Sequence, residues 1–309
     1  MKLSPTKKRL LNASAEIVEA KSENINYLHS IFGSAVLPYR NHKSRDYHKV
    51  VNGTEILLSS GFLMNPKTRK LELQGLPFGS KPRLLLIHLC TKAIKTKSPV
   101  IQIEDNMSAF MKSLGLRVSG GKNGSIRAFK EQLNRLNACR MQLFMPTKRG
   151  FTMANPAPII ERFDAWFPTN ENQKSLWDSQ VILSEQFFKS LKVHGMPIDP
   201  RAIKALQNNS RALDTYVWLA NRLPRVKGKK GDFISWQSLQ HQFGGNLKEL
   251  NNFRRKMLET LKIVKAVYPR MRIKQSPGGV LLLKSHPPVK AKNKIIRSKR
   301  PELKILNKA

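Results

Sequence analysis

The chain has 309 residues, enough for two ordinary domains or one large one. Hydrophobic residues make up 40% of it, which supplies real cores and excludes a disordered polymer. With 56 Lys and Arg against 20 Asp and Glu the net charge is +36, a self-repelling excess that asks for a polyanionic partner: DNA, RNA or an anionic membrane.

Membrane is the weakest of the three. The longest purely aliphatic run, Leu84-Leu85-Leu86-Ile87, is far short of a span. The basic amino-terminal stretch lacks the uninterrupted apolar core of a secretory signal. Cys90 and Cys139 alone build neither a disulfide framework nor a cysteine zinc site, and they read as buried small hydrophobes in a reducing cytoplasm.

In chain order, residues 1–74 read as a small, partly ordered region. It holds a short helix over 16–31, a basic stretch over 39–49, and strands over 50–58 and 70–73, with turn signals at Asn52-Gly53 and Asn65-Pro66. From Gly75 the pattern sharpens. Pro82 lies in the first turn of a buried helix, Pro99 breaks it, and residues 100–103 form a short strand. A helix from about Asp105 aligns Phe110, Met111 and Leu114 and stops at Gly115 in a left-handed cap. The glycine-rich loop 119–124 leads into a longer helix with Ile126, Phe129, Leu133 and Leu136 at helical spacing. Residues 141–145 and 151–153 read as two strands around the turn 146–150.

The second half repeats this order. Asp199-Pro200 opens a helix through Leu206, and Ser210 caps another with Leu213, Tyr216, Val217 and Ala220 inward. Phe233-Ile234 is strand-like, and Ser235 caps a short helix carrying Trp236, Leu239 and Phe243. After Gly244-Gly245 a long helix places Leu250, Phe253, Met257, Leu261 and Val264 on one stripe. Residues 272–274 and 280–283 flank the hairpin turn Ser276-Pro277-Gly278-Gly279.

Each half thus reads helix, strand, helix, glycine turn, longer helix, hairpin, the order of a winged helix. The expected fold is mainly α with small β: two tandem winged-helix domains. The first spans residues 75–170 and serves dimerisation, DNA or both. The second spans 176–286 and binds DNA specifically. A boundary lies near residues 168–174, and a basic tail covers 287–309.

The outward face of the second long helix is the most informative surface. Asn251, Asn252 and Arg255 near its amino end are the expected base readers, because Asn and Arg make bidentate contacts to base edges. Lys248, Lys256 and Lys262 are expected on phosphates, as are Arg272, Lys274 and Lys284 on the wing; Arg254 projects toward the apolar stripe and stays outside the set. In the first half Lys122, Arg127, Arg135, Lys148 and Arg149 are candidates for DNA or dimer contacts. The mixed charges Arg127, Glu131 and Arg135 with small Ala128 and Ala138 suit a second copy of the chain as well as DNA.

Covalent chemistry is not expected. The spacing from Gly115 to Gly120 suggests a phosphate loop, but Gly121 occupies the lysine position. His42 and His48 near Asp46 read as a chance cluster, so neither metal nor cofactor is expected. The His-hydrophobic-His motif of nicking enzymes is missing, Tyr216 lies on a core face, and no paired carboxylates or Ser-His-Asp order stand out.

Several stretches resemble RepA-type plasmid replication initiators: residues 75–86 (GLPFGSKPRLLL), 110–115 (FMKSLG) with the following Gly-Gly-Lys loop, Trp177-Asp178-Ser179, 183–188 (LSEQFF) and 212–219 (ALDTYVWL). The resemblance runs from about Gly75 to Pro287. It implies a bacterial cytoplasmic protein that binds repeated double-stranded DNA sites at an origin, helps open the duplex and recruits host initiator and helicase. It also implies a homodimer in the DNA-free form. A sequence-specific transcriptional repressor, autoregulatory or otherwise, is the alternative.

Overall fold

The structure, a computed structural model, describes residues 4–289 except 35, 52–53, 66–67, 105, 122, 148–149, 154–156, 165–178 and 229. Ser4 caps the first helix by accepting from the Lys7 N–H, and Pro5 fits its first turn, so α1 (Pro5–Glu19) lies well before the expected helix over 16–31. Beyond it come β1 (Asn26–His29) and one 3-10 turn (Ser30–Gly33). Two hairpins follow: β2 (Asp46–Val51) with β3 (Thr54–Ser59), and β4 (Phe62–Met64) with β5 (Leu71–Leu73).

The first repeated run begins with α2 (Ser80–Thr96), buried along Leu84 to Ile87, Leu89, Cys90 and Ala93. Then come β6 (Val100–Gln102) and α3 (Met107–Ser113), the latter capped by Asn106, which accepts from the Ala109 N–H at 2.8 Å. Gly115 takes the left-handed conformation expected of it, at φ +74°. Next is α4 (Ser125–Ala138), burying Ile126, Phe129, Leu133 and Leu136. Five strands follow: β7 (Arg140–Thr147), β8 (Gly150–Met153), β9 (Ala157–Pro158), β10 (Ile160–Asp164) and β11 (Gln180–Leu183). They lead to α5 (Glu185–His194) and β12 (Gly195–Ile198).

The second run holds α6 (Pro200–Leu206), capped by Asp199, and α7 (Ser210–Arg222), capped by Asn209 rather than Ser210. After them come β13 (Asp232–Ser235), α8 (Trp236–Phe243), α9 (Leu250–Val267), β14 (Ile273–Ser276) and β15 (Gly279–Leu282).

The sheets correct one part of the sequence reading. The hairpin β7–β8 forms as expected but does not lie beside β6. It joins β3, and through it β2, in the order β2-β3-β7-β8 with β9 on the side of β7. The partner of β6 is β11, which also pairs β10. The resulting order β10-β11-β6 repeats in the second run as β14-β15-β13. The expected boundary at residues 168–174 lies outside the described residues, yet it falls between β10 and β11, which pair with each other in one sheet. Strands of three to five residues carry no signal of their partner, so the nearer hairpin was the one the sequence suggested.

The amino-terminal elements reach across the molecule. Strand β1 pairs β12, with Asn26 opposite Ile198, and α1 packs on α6 and α9. One buried hydrophobic cluster runs from Ala13 through both repeated runs to Leu282. The 3.6-periodic stripes of α4 and α9 join it beside the larger share from α2 and α7, as amphipathic helices do when packing rather than propensity stabilises them.

Candidate nucleic-acid interface

Helix α9 buries Phe253, Met257, Thr260, Leu261, Val264 and Val267 and turns its other side to solvent. Asn251, Asn252, Arg255, Glu259 and Lys262 are exposed along that side, with Lys256 half-buried and Lys248 exposed just before the helix. All the residues expected to read bases or hold phosphates from this helix therefore share one surface. Within it Glu259 binds both neighbours, Arg255 at 3.2 Å and Lys256 at 3.1 Å. The hydrogen-bonded Lys256 ammonium, and Arg255 beside it, hold the Glu259 carboxyl below its ordinary range.

The turn before α9 is shaped by side chains that sequence reasoning did not single out. Gln240 donates from Nε2 to the carbonyls of Leu247 and Lys248 at 2.9 and 2.8 Å. Arg211 on α7 donates to the carbonyls of Phe243 and Gly244, closing the carboxyl end of α8. Gly245 sits at φ +57°, and a Cβ there would stand 2.8 Å from the ring of Tyr39, so the turn fits only glycine. Lys49 donates to the Gln242 carbonyl at 2.6 Å, and burial lowers its ammonium to about 8.

The hairpin β14–β15 stands beside this helix. Trp236 donates from Nε1 to the Pro277 carbonyl at 3.0 Å, pinning the turn, while the guanidinium of Arg254 lies 5.6 Å from the Trp236 ring. Arg254 is thus held toward the protein, as its place near the apolar stripe suggested. Arg272, Lys274 and Lys284 are exposed on or next to the strands. Register puts Phe233, Leu281 and Lys274 in one row across the outer face of the sheet, with Phe233 54% exposed. This row was hidden in the sequence because Phe233 and Lys274, each opposite Leu281, are 41 positions apart in the chain.

The first run offers less. Arg127 is exposed on α4. Arg135 is turned inward: its side chain is 12% exposed and donates to Asn41, to the Leu76 carbonyl and to Glu131, with its guanidinium over the Phe78 ring. Ala138 does let a backbone approach closely, but it is the chain's own, since a Cβ on Gly61 would lie 2.5 Å from the Ala138 carbonyl oxygen. Lys122, Lys148 and Arg149 lie outside the described residues. So do residues 290–309 of the expected basic tail.

Among the described residues no helix is long and apolar enough to cross a membrane, and no cluster of three metal-ligating side chains occurs. The phenol of Tyr216 is buried, accepting from the Asp199 N–H at 3.0 Å, and burial pushes its ionisation well up.

No curated protein sequence matches the chain. A solved structure of domains 2 and 3 of RctB is similar with a TM-score of 0.49 and 14% sequence identity, over 81% of this chain and 93% of that one. The family described as plasmid encoded RepA protein matches residues 76–238, and with just over half of its length inside that match the chain belongs to this family.

Proposed function

We propose that the chain initiates plasmid replication by binding repeated double-stranded DNA sites at an origin through tandem winged helices. The observation that carries this is the exposed polar side of α9, set between the glycine turn and the basic hairpin β14–β15. A helix so placed enters the major groove, with Asn251, Asn252 and Arg255 at base edges and Lys248, Lys256 and Lys262 on phosphates. The hairpin then lies along the backbone through Arg272, Lys274 and Lys284.

Two winged helices are read in this fold. The second comprises α7, β13, α8, α9, β14 and β15. The first comprises α2, β6, α3, α4, β10 and β11, with β7 to β9 as an insertion that joins the amino-terminal strands. The repeated sheet order supports the reading. The protein works in the bacterial cytoplasm without covalent chemistry of its own, helps open the duplex, and hands the origin to host initiator and helicase. It self-associates when free of DNA and binds each repeat as a monomer.

Nuclease footprinting on the DNA flanking the gene tests this. Two winged helices one turn apart protect roughly 20 bp per chain. Directly repeated footprints next to an AT-rich segment are expected. A single inverted repeat over the gene's promoter, with no origin activity in a transformed plasmid, would instead make the protein a repressor.

A further inference from the structure

We propose that Tyr39 and Lys49 are positioning residues for sequence reading, an inference that rests on the DNA reading by α9 proposed above. They hold the turn 244–249 and so aim the amino end of α9. The stretch before Gly75 thereby takes part in selectivity without touching DNA.

The amino end of α9 needs support from outside the helix. Its cap residue, Glu249, makes no side-chain hydrogen bond to the first turn, so the helix start is not fixed locally. The apolar stripe anchors the helix further along, at Phe253, Met257, Leu261 and Val264. Asn251 and Asn252 stand exposed ahead of that anchor, and the preceding turn sets where they point.

Two side chains from the amino-terminal stretch close on this turn. The ring of Tyr39 lies against Gly245, where an added Cβ would stand 2.8 Å from its Cδ2. The ring centre is 5.1 Å from the Arg83 guanidinium and 5.2 Å from that of Arg211, which itself donates to the carbonyls of Phe243 and Gly244. Arg83 also donates to the carbonyls of Leu37 and Pro38, so the backbone leading to Tyr39 is fixed as well. Lys49, on β2, reaches the Gln242 carbonyl at 2.6 Å across 193 residues of chain. The Gln242 side chain donates back to the carbonyls of Gly33 and Ser34 at 3.3 and 3.4 Å. Lys49 is half-buried and spent on a carbonyl of its own chain, whereas Lys248 and Lys262 are exposed. Helix α1 packs on α9 too, so the amino-terminal stretch meets both the helix and the turn that aims it.

Such a hold matters for selectivity more than for affinity. Binding to any sequence comes from cations spread over α9 and the wing, and depends little on where the first turn of α9 stands. Bidentate contacts to base edges are geometric and depend on it directly. A loosened turn therefore costs selectivity first.

Competition between repeat and random DNA at several salt concentrations tests this on the full-length protein, with Tyr39→Leu, Tyr39→Phe and Lys49→Met. Tyr39→Leu removes the ring and Lys49→Met removes the donor. Each should lose about fivefold or more in affinity for the repeat, the loss expected of one bidentate base contact. Affinity for random DNA and the salt slope should stay at wild-type values. The slope separates positioning from direct contact, since losing a phosphate contact would lower it by about one unit. Tyr39→Phe keeps the ring and should keep the selectivity. Lys49→Met decides alone if Tyr39→Leu does not fold. Folded variants as selective as the wild type, or weakened alike on repeat and random DNA, would overturn the positioning role; Arg255→Ala losing selectivity in the same assay would then leave reading by α9 standing. A wild type that binds repeat and random DNA equally would overturn both.

Discussion

Arg83 grips Asp214 through two hydrogen bonds of 2.7 Å, one from Nε and one from a terminal nitrogen, across 131 residues of chain. The two side chains are 6% and 9% exposed and join α2, which opens the first run, to α7 in the second. The remaining N–H groups of Arg83 donate to the carbonyls of Leu37, Pro38 and Gly79, and Tyr39 lies between its guanidinium and that of Arg211. Since Arg211 also closes the end of α8, this cluster ties the first run to the turn that precedes α9.

Breaking such a pair from one side leaves a buried charge without its partner. Asp214→Ala or Arg83→Ala should each cost about 3–5 kcal/mol of stability in urea denaturation. Replacing both, Arg83→Met with Asp214→Leu, should restore only part of the loss, because no charge is then stranded but the carbonyls of Leu37, Pro38 and Gly79 still lose the guanidinium as donor. A single variant within 1 kcal/mol of the wild type would show that the pair does not hold the two runs together.

Glu259 sets a second expectation, on the DNA face. It binds Arg255 and Lys256 in the free protein and presents a negative charge where phosphates approach. Arg255→Ala should weaken specific binding by about 1–3 kcal/mol and relax one base position. Glu259→Gln should act in the opposite sense, tightening binding to all sequences and steepening the salt dependence by about one unit. Lys262→Ala should lower that slope by about one unit with no change of sequence preference. Competition between repeat and random DNA at several salt concentrations reads all three; a Glu259→Gln variant that binds more weakly would place this face away from the phosphates.

The long periodic helices were legible from the sequence because their burial is written into spacing: Phe129 and Leu133 on α4, and Phe253, Met257 and Leu261 on α9, all lie in the core. The exposed side of α9 followed as their complement. Pairing was not legible. Strand β6 has three residues and meets β11 nearly eighty positions later, and β1 meets β12 across the whole first run. Partners at that distance are chosen by the packing of the helices between them, which no local pattern records. Arg135 shows the same limit for a site residue. Helical geometry places it outward, but Asn41, Leu76 and Phe78 come from stretches without periodicity and fold over it.

Cys90 and Cys139 are 0% and 1% exposed, and burial pushes both thiols up to about 12. A thiolate is the reacting species, so neither residue should react with a thiol reagent near neutral pH in the native protein, and both should react once it is denatured. Rapid native labelling of either would reveal an opening of the core around α2 or the end of α4.

Acid should weaken the fold through two buried imidazoles. The Ile31 N–H donates to Nδ1 of His29 at 3.1 Å, which requires that nitrogen to be unprotonated, and Nε2 meets the Ser190 hydroxyl at 2.9 Å. Burial, and then the charge of His194 nearby, lower His29 to about 4. Burial lowers His88 to about 4 as well, against the pull of Glu104. Both folded values lie below the unfolded value of about 6.5, so the unfolded chain takes up protons that the folded chain refuses. The stabilisation is whole above that value and is lost as pH falls from about 6.5 through 4, by at most about 3 kcal/mol for each histidine. His29→Asn keeps an acceptor for the Ile31 N–H and removes the titration. Its urea midpoint should therefore fall about half as steeply between pH 6.5 and 5 as that of the wild type, above the range where most carboxylates protonate. An unchanged slope in His29→Asn would show that this imidazole does not carry the acid sensitivity.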